Sequence, residues 1–158
     1  MISNENKSWW VRAGAAAESS FAGPVFGSGC AVIANPAKFE NPYSHDLFMM
    51  IPADLKTVRT QFRTADRYGI SPRTAITINK KDIERYERLY PHIVIIFDID
   101  IPEFKSTRYA ALREVRKAIN AGMAKLHVYQ HRVGDVMGNA KESYVLDATW
   151  FPEIGEKH

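Results

Sequence analysis

One short stretch of the sequence constrains the fold more than any other. Residues 93–99 read I-V-I-I-F-D-I, an almost unbroken run of β-branched and aromatic side chains. A strand that is apolar on both sides must be covered on both faces, so such a run is typical of a strand at the centre of a sheet that other layers enclose. The run therefore predicts an α/β protein built around a central sheet.

The pattern in the rest of the chain predicts helices and further strands around this centre. Helices are predicted for residues 8–22, 80–89 and 106–121, with Asn79 as the cap of the second and Gly122 as the end of the third. Strands are predicted for residues 30–34, 46–51, 54–59, 74–78, 125–133 and 143–151, the last two joined by a turn at 134–139. The expected architecture is a single domain, residues 1–158, in which helices flank a central mixed β-sheet.

Composition indicates where such a chain works. No apolar run approaches the roughly 20 residues that a membrane span needs, and the N-terminus has no apolar signal core. The single cysteine, Cys30, excludes an internal disulfide and suits a reducing compartment. The sequence therefore predicts a cytoplasmic protein without a membrane partner.

Residues 41–57, N-P-Y-S-H-D-L-F-M-M-I-P-A-D-L-K-T, carry the candidate chemistry. The two strands in this segment are expected to form a hairpin with its turn at Pro52 and Ala53. Asp46 would stand at the mouth of the hairpin, and Asp54 and Lys56 would share one face of the returning strand because alternate side chains do so. Two carboxylates can hold Mg²⁺ (or Mn²⁺), and a lysine beside them can hold a water or a phosphate oxygen. These residues suit metal-assisted phosphodiester hydrolysis.

Basic residues are concentrated after this segment. The net charge is +3 and the pI is near 9.0, which permits a polyanionic partner without demanding one. One basic group follows the D-L-K directly, and a second is expected on the helix 106–121 and its flanks. A solvated surface is one interpretation of these groups, and phosphate contact is the other. The candidate DNA-binding residues are Arg59, Arg63, Lys80, Lys81 and His45.

The segment A-A-A-E-S-S-F, followed by S-H-D-L and D-L-K, resembles the PD-(D/E)XK phosphodiesterase superfamily, which includes restriction enzymes, junction resolvases and repair nucleases. The resemblance implies a restriction-endonuclease-like core and a Mg²⁺-dependent DNA endonuclease that leaves a 5′-phosphate. It implies Glu18 as the helical acid, Asp46 as the first metal ligand and Asp54-Leu55-Lys56 as the D-x-K. Catalysis would then involve Asp46, Asp54, Lys56 and Glu18, and the metal would be held by Asp46, Asp54 and the carbonyl of Leu55.

Several interpretations compete with this one. His45 stands where the superfamily has proline, and Asp54 stands where glutamate is more usual. A non-catalytic α/β module that binds nucleic acid or a protein through its basic faces would explain the same charges. Asp98 and Asp100 could also bind a metal at the end of their strand. A homodimer that cuts both strands of DNA is expected if the chain is a nuclease.

Overall fold

The protein is described from a computed structural model that defines residues 23–24, 30–129 and 141–155. The chain divides into two compact units, Met1–Pro52 and Ala53–His158. The predicted helix 8–22, with Glu18, and the predicted turn at 134–139 lie outside the described residues. Within the described parts of the chain, no helix is long and apolar enough to cross a membrane.

The first unit contains a small antiparallel sheet. Its strands are β1 (Gly23–Pro24), β2 (Ala31–Ala34) and β3 (Leu47–Met50), in that spatial order. A 3-10 helix, Pro36–Phe39, lies between β2 and β3. The buried Asn35 holds this connection, because its side chain accepts a hydrogen bond from the Ala37 amide (3.1 Å) and donates one to the His45 carbonyl (2.8 Å).

The second unit contains two sheets among its described residues. Their strands are β4 (Ala53–Val58), β5 (Ala75–Asn79), β6 (Val94–Ile101), β7 (Phe104–Ala111), β8 (Lys125–Val128) and β9 (Glu142–Asp147). One sheet has the order β4-β6-β7 and is mixed, since β4 runs parallel to β6 while β7 runs antiparallel to it. The other has the order β5-β9-β8 and is antiparallel. The helices are α1 (Lys80–Leu89) and α2 (Leu112–Asn120).

The core confirms that residues 93–99 form the central strand of a sheet, although Val94 and Ile96 on its other face are only half-buried. Ile95, Phe97 and Ile99 of β6 have no exposed surface, and Tyr86 of α1 and Val115 of α2 pack in the same cluster. Burial of one such side chain contributes on the order of 1.5–3 kcal/mol. The predicted mixed α/β class with helices and a mixed sheet is therefore confirmed, although the strands are distributed over three sheets in the described residues instead of one.

The predicted hairpin between residues 46–51 and 54–59 is wrong. β3 pairs with β2, whereas β4 pairs in parallel with β6 after a long connection that contains α1. Pro52, between β3 and β4, has no amide hydrogen to donate to a hairpin ladder. β4 is therefore the edge of the mixed sheet and not the return strand of a hairpin.

The predicted helix 106–121 is wrong in its first half. Residues 104–111 form β7 and pair with β6 along its whole length, and helix α2 begins only at Leu112. Thr107 and Tyr109 favour a strand, and the eight-residue ladder outweighs the helix propensity of the two alanines that follow. The expected end of the helix is confirmed, since Gly122 has a φ of 68°, a conformation that glycine adopts without strain.

The other predicted elements of the second unit are present, with one exception in extent. Helix α1 has the predicted bounds, and β5 and β8 overlap the predicted strands. β9 ends at Asp147, and a 3-10 helix, Ala148–Trp150, replaces most of the rest of the predicted strand 143–151. Asn79 stands at the cap position of α1, but its side chain makes no capping bond; it accepts a hydrogen bond from the Ser143 hydroxyl at 3.0 Å. This bond joins the last residue of β5 to the fully buried Ser143 near the start of β9.

A short segment after β9 covers the outer edge of β7. The Tyr109 amide donates to the Pro152 carbonyl (3.1 Å), and the Ile154 amide donates to the Thr107 carbonyl (2.8 Å). Between them, Glu153 accepts a hydrogen bond from the buried Ser106 hydroxyl and pairs with Arg108. These contacts satisfy backbone groups that an open edge would expose.

Candidate active site

Strand β4 places Asp54 and Lys56 on one face, as the sequence predicts. Both side chains are half-buried, whereas Leu55 between them is 59% exposed on the opposite face. Asp54 lies beside Ile95 and Lys56 beside Phe97 in the parallel register with β6. Since neighbours in register share a face, the aspartate and the lysine lie at the border of the hydrophobic core.

Helix α1 brings two further polar groups to this face. Asp82 and Tyr86 are four residues apart and therefore lie on the same side of the helix. The Lys56 Nζ is 2.6 Å from Asp82 Oδ2 and 2.9 Å from Asp54 Oδ2. The Tyr86 hydroxyl donates to Asp54 Oδ2 at 2.5 Å. Asp54, Lys56, Asp82 and Tyr86 are called the acid–lysine cluster below.

The cluster has a buried floor and a charged rim. Tyr86 is 2% exposed, yet its hydroxyl reaches the half-exposed carboxylate of Asp54. The Arg85 guanidinium lies 3.1 Å from Asp82 Oδ1 and 5.1 Å from the centre of the Tyr86 ring. The Lys56 ammonium is 5.7 Å from the same ring centre. Two cations and two carboxylates thus surround one buried phenol.

The protonation states in the cluster follow from these contacts. Burial alone would raise the pKa of the Asp54 carboxyl, but hydrogen bonds from Tyr86 and Lys56 outweigh it and lower that pKa below 3.8. Burial alone would lower the pKa of Lys56, but its bonds to Asp82 and Asp54 outweigh burial and raise it. Burial raises the pKa of the Tyr86 hydroxyl, and its bond to Asp54 raises it further. At neutral pH the cluster therefore holds a carboxylate at Asp54, an ammonium and a neutral phenol.

The donor set of the cluster fits a hard divalent cation. Asp54 and Asp82 each direct one carboxylate oxygen at the Lys56 ammonium. A metal ion held by both carboxylates would take the place of this ammonium, and Lys56 would have to turn away from that point. Mg²⁺ commonly uses one or two carboxylates and keeps several waters. In the described part of the chain, no group of three or more His, Cys, Asp or Glu side chains is placed to hold a metal. A cation at this point would therefore depend on two carboxylates and water.

Two of the predicted site residues, Asp46 and His45, belong to the first unit, and a third, Glu18, lies outside the described residues. Asp46 lies in the first unit, exposed just before β3, and forms an ion pair with Lys38. The exposed His45 contacts the Phe48 ring edge-on, with 4.5 Å between ring centres.

The predicted DNA-binding residues of the second unit fall into two kinds. Arg59 is paired with Asp98 (2.5 Å), and Lys80 is paired with Glu142 (2.9 Å). Arg63 and Lys81 are exposed, and neither makes an ion pair with another described residue. A phosphate could therefore bind Arg63 or Lys81 without displacing a carboxylate.

Asp82, Arg85 and Tyr86 were missed by reasoning from the sequence. They are far along the chain from the D-L-K, and their spacing from it carries no signal. The four-residue interval between Asp82 and Tyr86 on a predicted helix was the available clue. It indicates a shared helix face, but not which strand that face meets.

Together, these features define a mixed α/β protein with an acid–lysine cluster between an edge strand and a helix. No protein-family model matches the chain, and no curated protein matches it. Among solved structures, the chain is similar to D212, a nuclease from a fusselovirus, with a TM-score of 0.44 and 10% sequence identity. That similarity covers 97% of this chain and 89% of the D212 chain.

Proposed function

We propose that the protein is a metal-dependent DNA endonuclease of the PD-(D/E)XK type whose site includes the acid–lysine cluster. The observation that carries this proposal is the convergence of Asp54 and Asp82 on the Lys56 ammonium. Hydrolysis of a phosphodiester needs a group that neutralises charge on the phosphate and one that orients water. Carboxylates that can hold a cation, next to a lysine, supply both.

Each residue of the cluster has a distinct role in this proposal. Asp54 and Asp82 would hold Mg²⁺ or Mn²⁺, which when bound lowers the pKa of a water and neutralises phosphate charge. Lys56 would donate a hydrogen bond to the attacking water or to a phosphate oxygen. Tyr86 holds Asp54 in place through its hydroxyl. Asp46, Glu18 and the Leu55 carbonyl remain proposed additional ligands on the ground of the family resemblance.

The lysine contact is expected to have a large effect on rate. Removing one donor that stabilises charge in a transition state typically slows catalysis by about 10²–10³-fold. Lys56→Met removes the ammonium and keeps most of the apolar stem. The matched control is Lys105→Met, since Lys105 is a strand lysine paired with one carboxylate, Asp100, on the exposed surface.

The test is cleavage of supercoiled plasmid, linear duplex and a four-way junction in Mg²⁺, Mn²⁺ or EDTA. Wild-type protein should cut only with a metal, and Lys56→Met, Asp54→Asn and Asp82→Asn should lose at least 100-fold in rate. Lys105→Met should cut as wild type does. Metal-dependent cutting that survives the three cluster substitutions would refute this site, and no cutting of any substrate would refute the nuclease.

One observation favours a second candidate, a non-catalytic module that binds nucleic acid. Every charged side chain in the cluster already has a partner, as in an ion-pair network that only joins a helix to a strand. Such a module would bind DNA with an affinity that falls with salt and ignores EDTA. Salt-dependent DNA binding without cleavage of any substrate in Mg²⁺ or Mn²⁺ would identify the module, whereas metal-dependent cleavage would identify the nuclease.

We also propose that the protein acts in the cytoplasm as a homodimer, so that two sites can cut opposite strands. Sedimentation equilibrium of the purified protein would measure the mass. A monomer at all concentrations would refute the dimer without affecting the chemistry proposed for the acid–lysine cluster.

A further inference from the structure

Four aromatic side chains meet in the second unit outside the acid–lysine cluster. Phe62 lies shortly before the 3-10 helix Ala65–Tyr68, and Tyr68 is the last residue of that helix. His127 lies in β8, and Tyr129 directly follows this strand. The His127 ring is edge-on to Phe62 (5.0 Å between centres), to Tyr68 (5.8 Å) and to Tyr129 (4.5 Å). These four residues are called the aromatic platform.

The platform is held in a fixed arrangement. The Tyr68 hydroxyl and His127 Nδ1 are hydrogen-bonded at 2.7 Å, and the Phe62 and Tyr68 rings are stacked with 6.5 Å between centres. The Tyr129 amide donates to the Lys141 carbonyl, which fixes the backbone next to the outermost ring. Rings that are already ordered lose little conformational entropy when they bind a flat partner.

The four rings differ in how deeply they are buried. Phe62 and Tyr68 pack against a small buried cluster formed by Ala65, Ile70, Ala75 and Val145. His127 is half-buried against Phe62 and Tyr68, whereas Tyr129 is 39% exposed. Among the described strands β8 is at the edge of its sheet, so these two rings lie at a margin of the described part of the unit.

The charges around the platform are mainly positive. Its exposed cations are Arg63 and Arg67, Lys125 and Lys141. Arg63 and Arg67 are next to platform residues in the chain, and Lys125 shares a strand face with His127 because the two are separated by one residue. None of the four makes an ion pair with another residue that the structure describes, and Asp66 is the exposed acid of the same segment. Aromatic rings with unpaired cations around them fit a nucleobase and its phosphates.

We propose that the aromatic platform binds an unpaired base of DNA, so that the substrate class is DNA with a single-stranded part. This inference rests on the proposed function for its biological sense, but the platform can be tested without cleavage. A base has an apolar π-face that stacks on Tyr129 or His127, and its flanking phosphates meet the arginines and lysines. A base within a duplex is stacked on both sides and offers no free face to the platform.

The test is the affinity of the full chain for a fluorescent 20-nucleotide single strand and for the matching blunt duplex, both in EDTA. Wild type should bind the single strand more tightly than the duplex. Tyr129→Ala should weaken single-strand binding about tenfold, and Tyr129→Phe should retain it within about twofold because stacking uses the ring. Tyr109→Ala is the matched control, since Tyr109 is 38% exposed on β7, and it should bind as wild type.

Charge variants keep the test valid if an aromatic variant folds poorly. Arg67→Gln and Lys125→Gln change exposed side chains, and each should lower the slope of log affinity against log salt by about 0.7. Photocrosslinking with an iodouracil-containing strand should label the peptide that carries His127 and Tyr129.

The outcomes separate the two proposals. Tyr129→Ala binding as wild type, equal binding of duplex and single strand, or no DNA binding at all would overturn the platform. Loss of affinity in Tyr109→Ala to the same extent would overturn it too, as would a change of mass in Tyr129→Ala that shows the platform to be a contact between copies. Lys105→Met, outside both sites, should bind the single strand as wild type does. Intact single-strand binding by a wild-type protein that cuts no substrate would refute only the nuclease.

Discussion

Lys56 keeps two carboxylates together that would otherwise repel each other. Its loss in Lys56→Met leaves Asp54 and Asp82 close to one another, with Tyr86 and Arg85 as their remaining partners among the described residues. We expect the free energy of unfolding at pH 7 to fall by about 1–3 kcal/mol, less than for a fully buried pair because the groups are partly solvated. Urea unfolding measures it, and Lys105→Met should change it by less than about 0.5 kcal/mol.

The lowered pKa of Asp54 makes stability depend on pH in a definite direction. The carboxylate stabilises the folded state fully above its unfolded pKa, near 3.8, and this contribution is lost as pH falls through the lower folded value. The stability difference between wild type and Asp54→Asn should therefore be largest from pH 5 to 7 and shrink below about pH 3.8. A difference that grows on acidification would contradict the sign of this shift.

The Tyr86 hydroxyl is the other partner of Asp54. Tyr86→Phe removes a hydrogen bond to a charged acceptor and should cost about 1 kcal/mol of stability, because water can replace part of the bond at the half-exposed carboxylate. The pKa of Asp54 should rise in this variant, which NMR titration of its carboxyl carbon would measure. Tyr90→Phe, at an exposed position just after α1, should change neither quantity.

At the scale of elements, the local sequence pattern predicted β6 and α1 correctly. It failed for β7, whose secondary structure depends on pairing with another strand. The run at 93–99 is apolar on both faces, and the helix 80–89 has Ile83 and Tyr86 on one side, so each needs only its own residues to be recognised. β7 contains helix-favouring alanines and becomes a strand because β6 pairs with it. Pairing between distant segments is information that a local window does not contain.

In the mixed sheet, the stability lost in a large-to-small substitution should depend on whether the side chain lies in the central strand β6 or in β4. Phe97→Ala in β6 empties a fully buried site and should destabilise the protein by about 3–5 kcal/mol. Leu55→Ala in β4 removes a mainly exposed side chain and should cost less than about 1 kcal/mol. Thermal unfolding of both variants gives the comparison; equal losses would place the core elsewhere.

At the scale of the molecule, only part of the candidate site could be predicted. The period of two in a strand was enough to place Asp54 and Lys56 on one face. The contact of that face with Asp82 and Tyr86 depends on where α1 packs. This packing joins Lys56 to Asp82, 26 positions away, and Asp54 to Tyr86, 32 positions away. Chemistry assembled across two elements cannot be inferred from the spacing within one.

The two compact units lead to a prediction about autonomous folding. The buried clusters that centre on β6 and on Val145 draw all of their members from Ala53–His158. A fragment of residues 53–158 should therefore unfold cooperatively on its own, as measured by circular dichroism against temperature. A fragment without a cooperative transition would support the single domain that the sequence predicts.

The covered edge of β7 has a consequence for the protein during its synthesis. The chain emerges from the ribosome in order, so β6 and β7 can pair before residues 152–154 have been translated. Until then the Thr107 carbonyl and the Tyr109 amide face outward, and a second nascent chain could add to that strand. Slow translation of residues 152–154 would prolong this interval, so codon choice there should affect how much of the protein is recovered in soluble form.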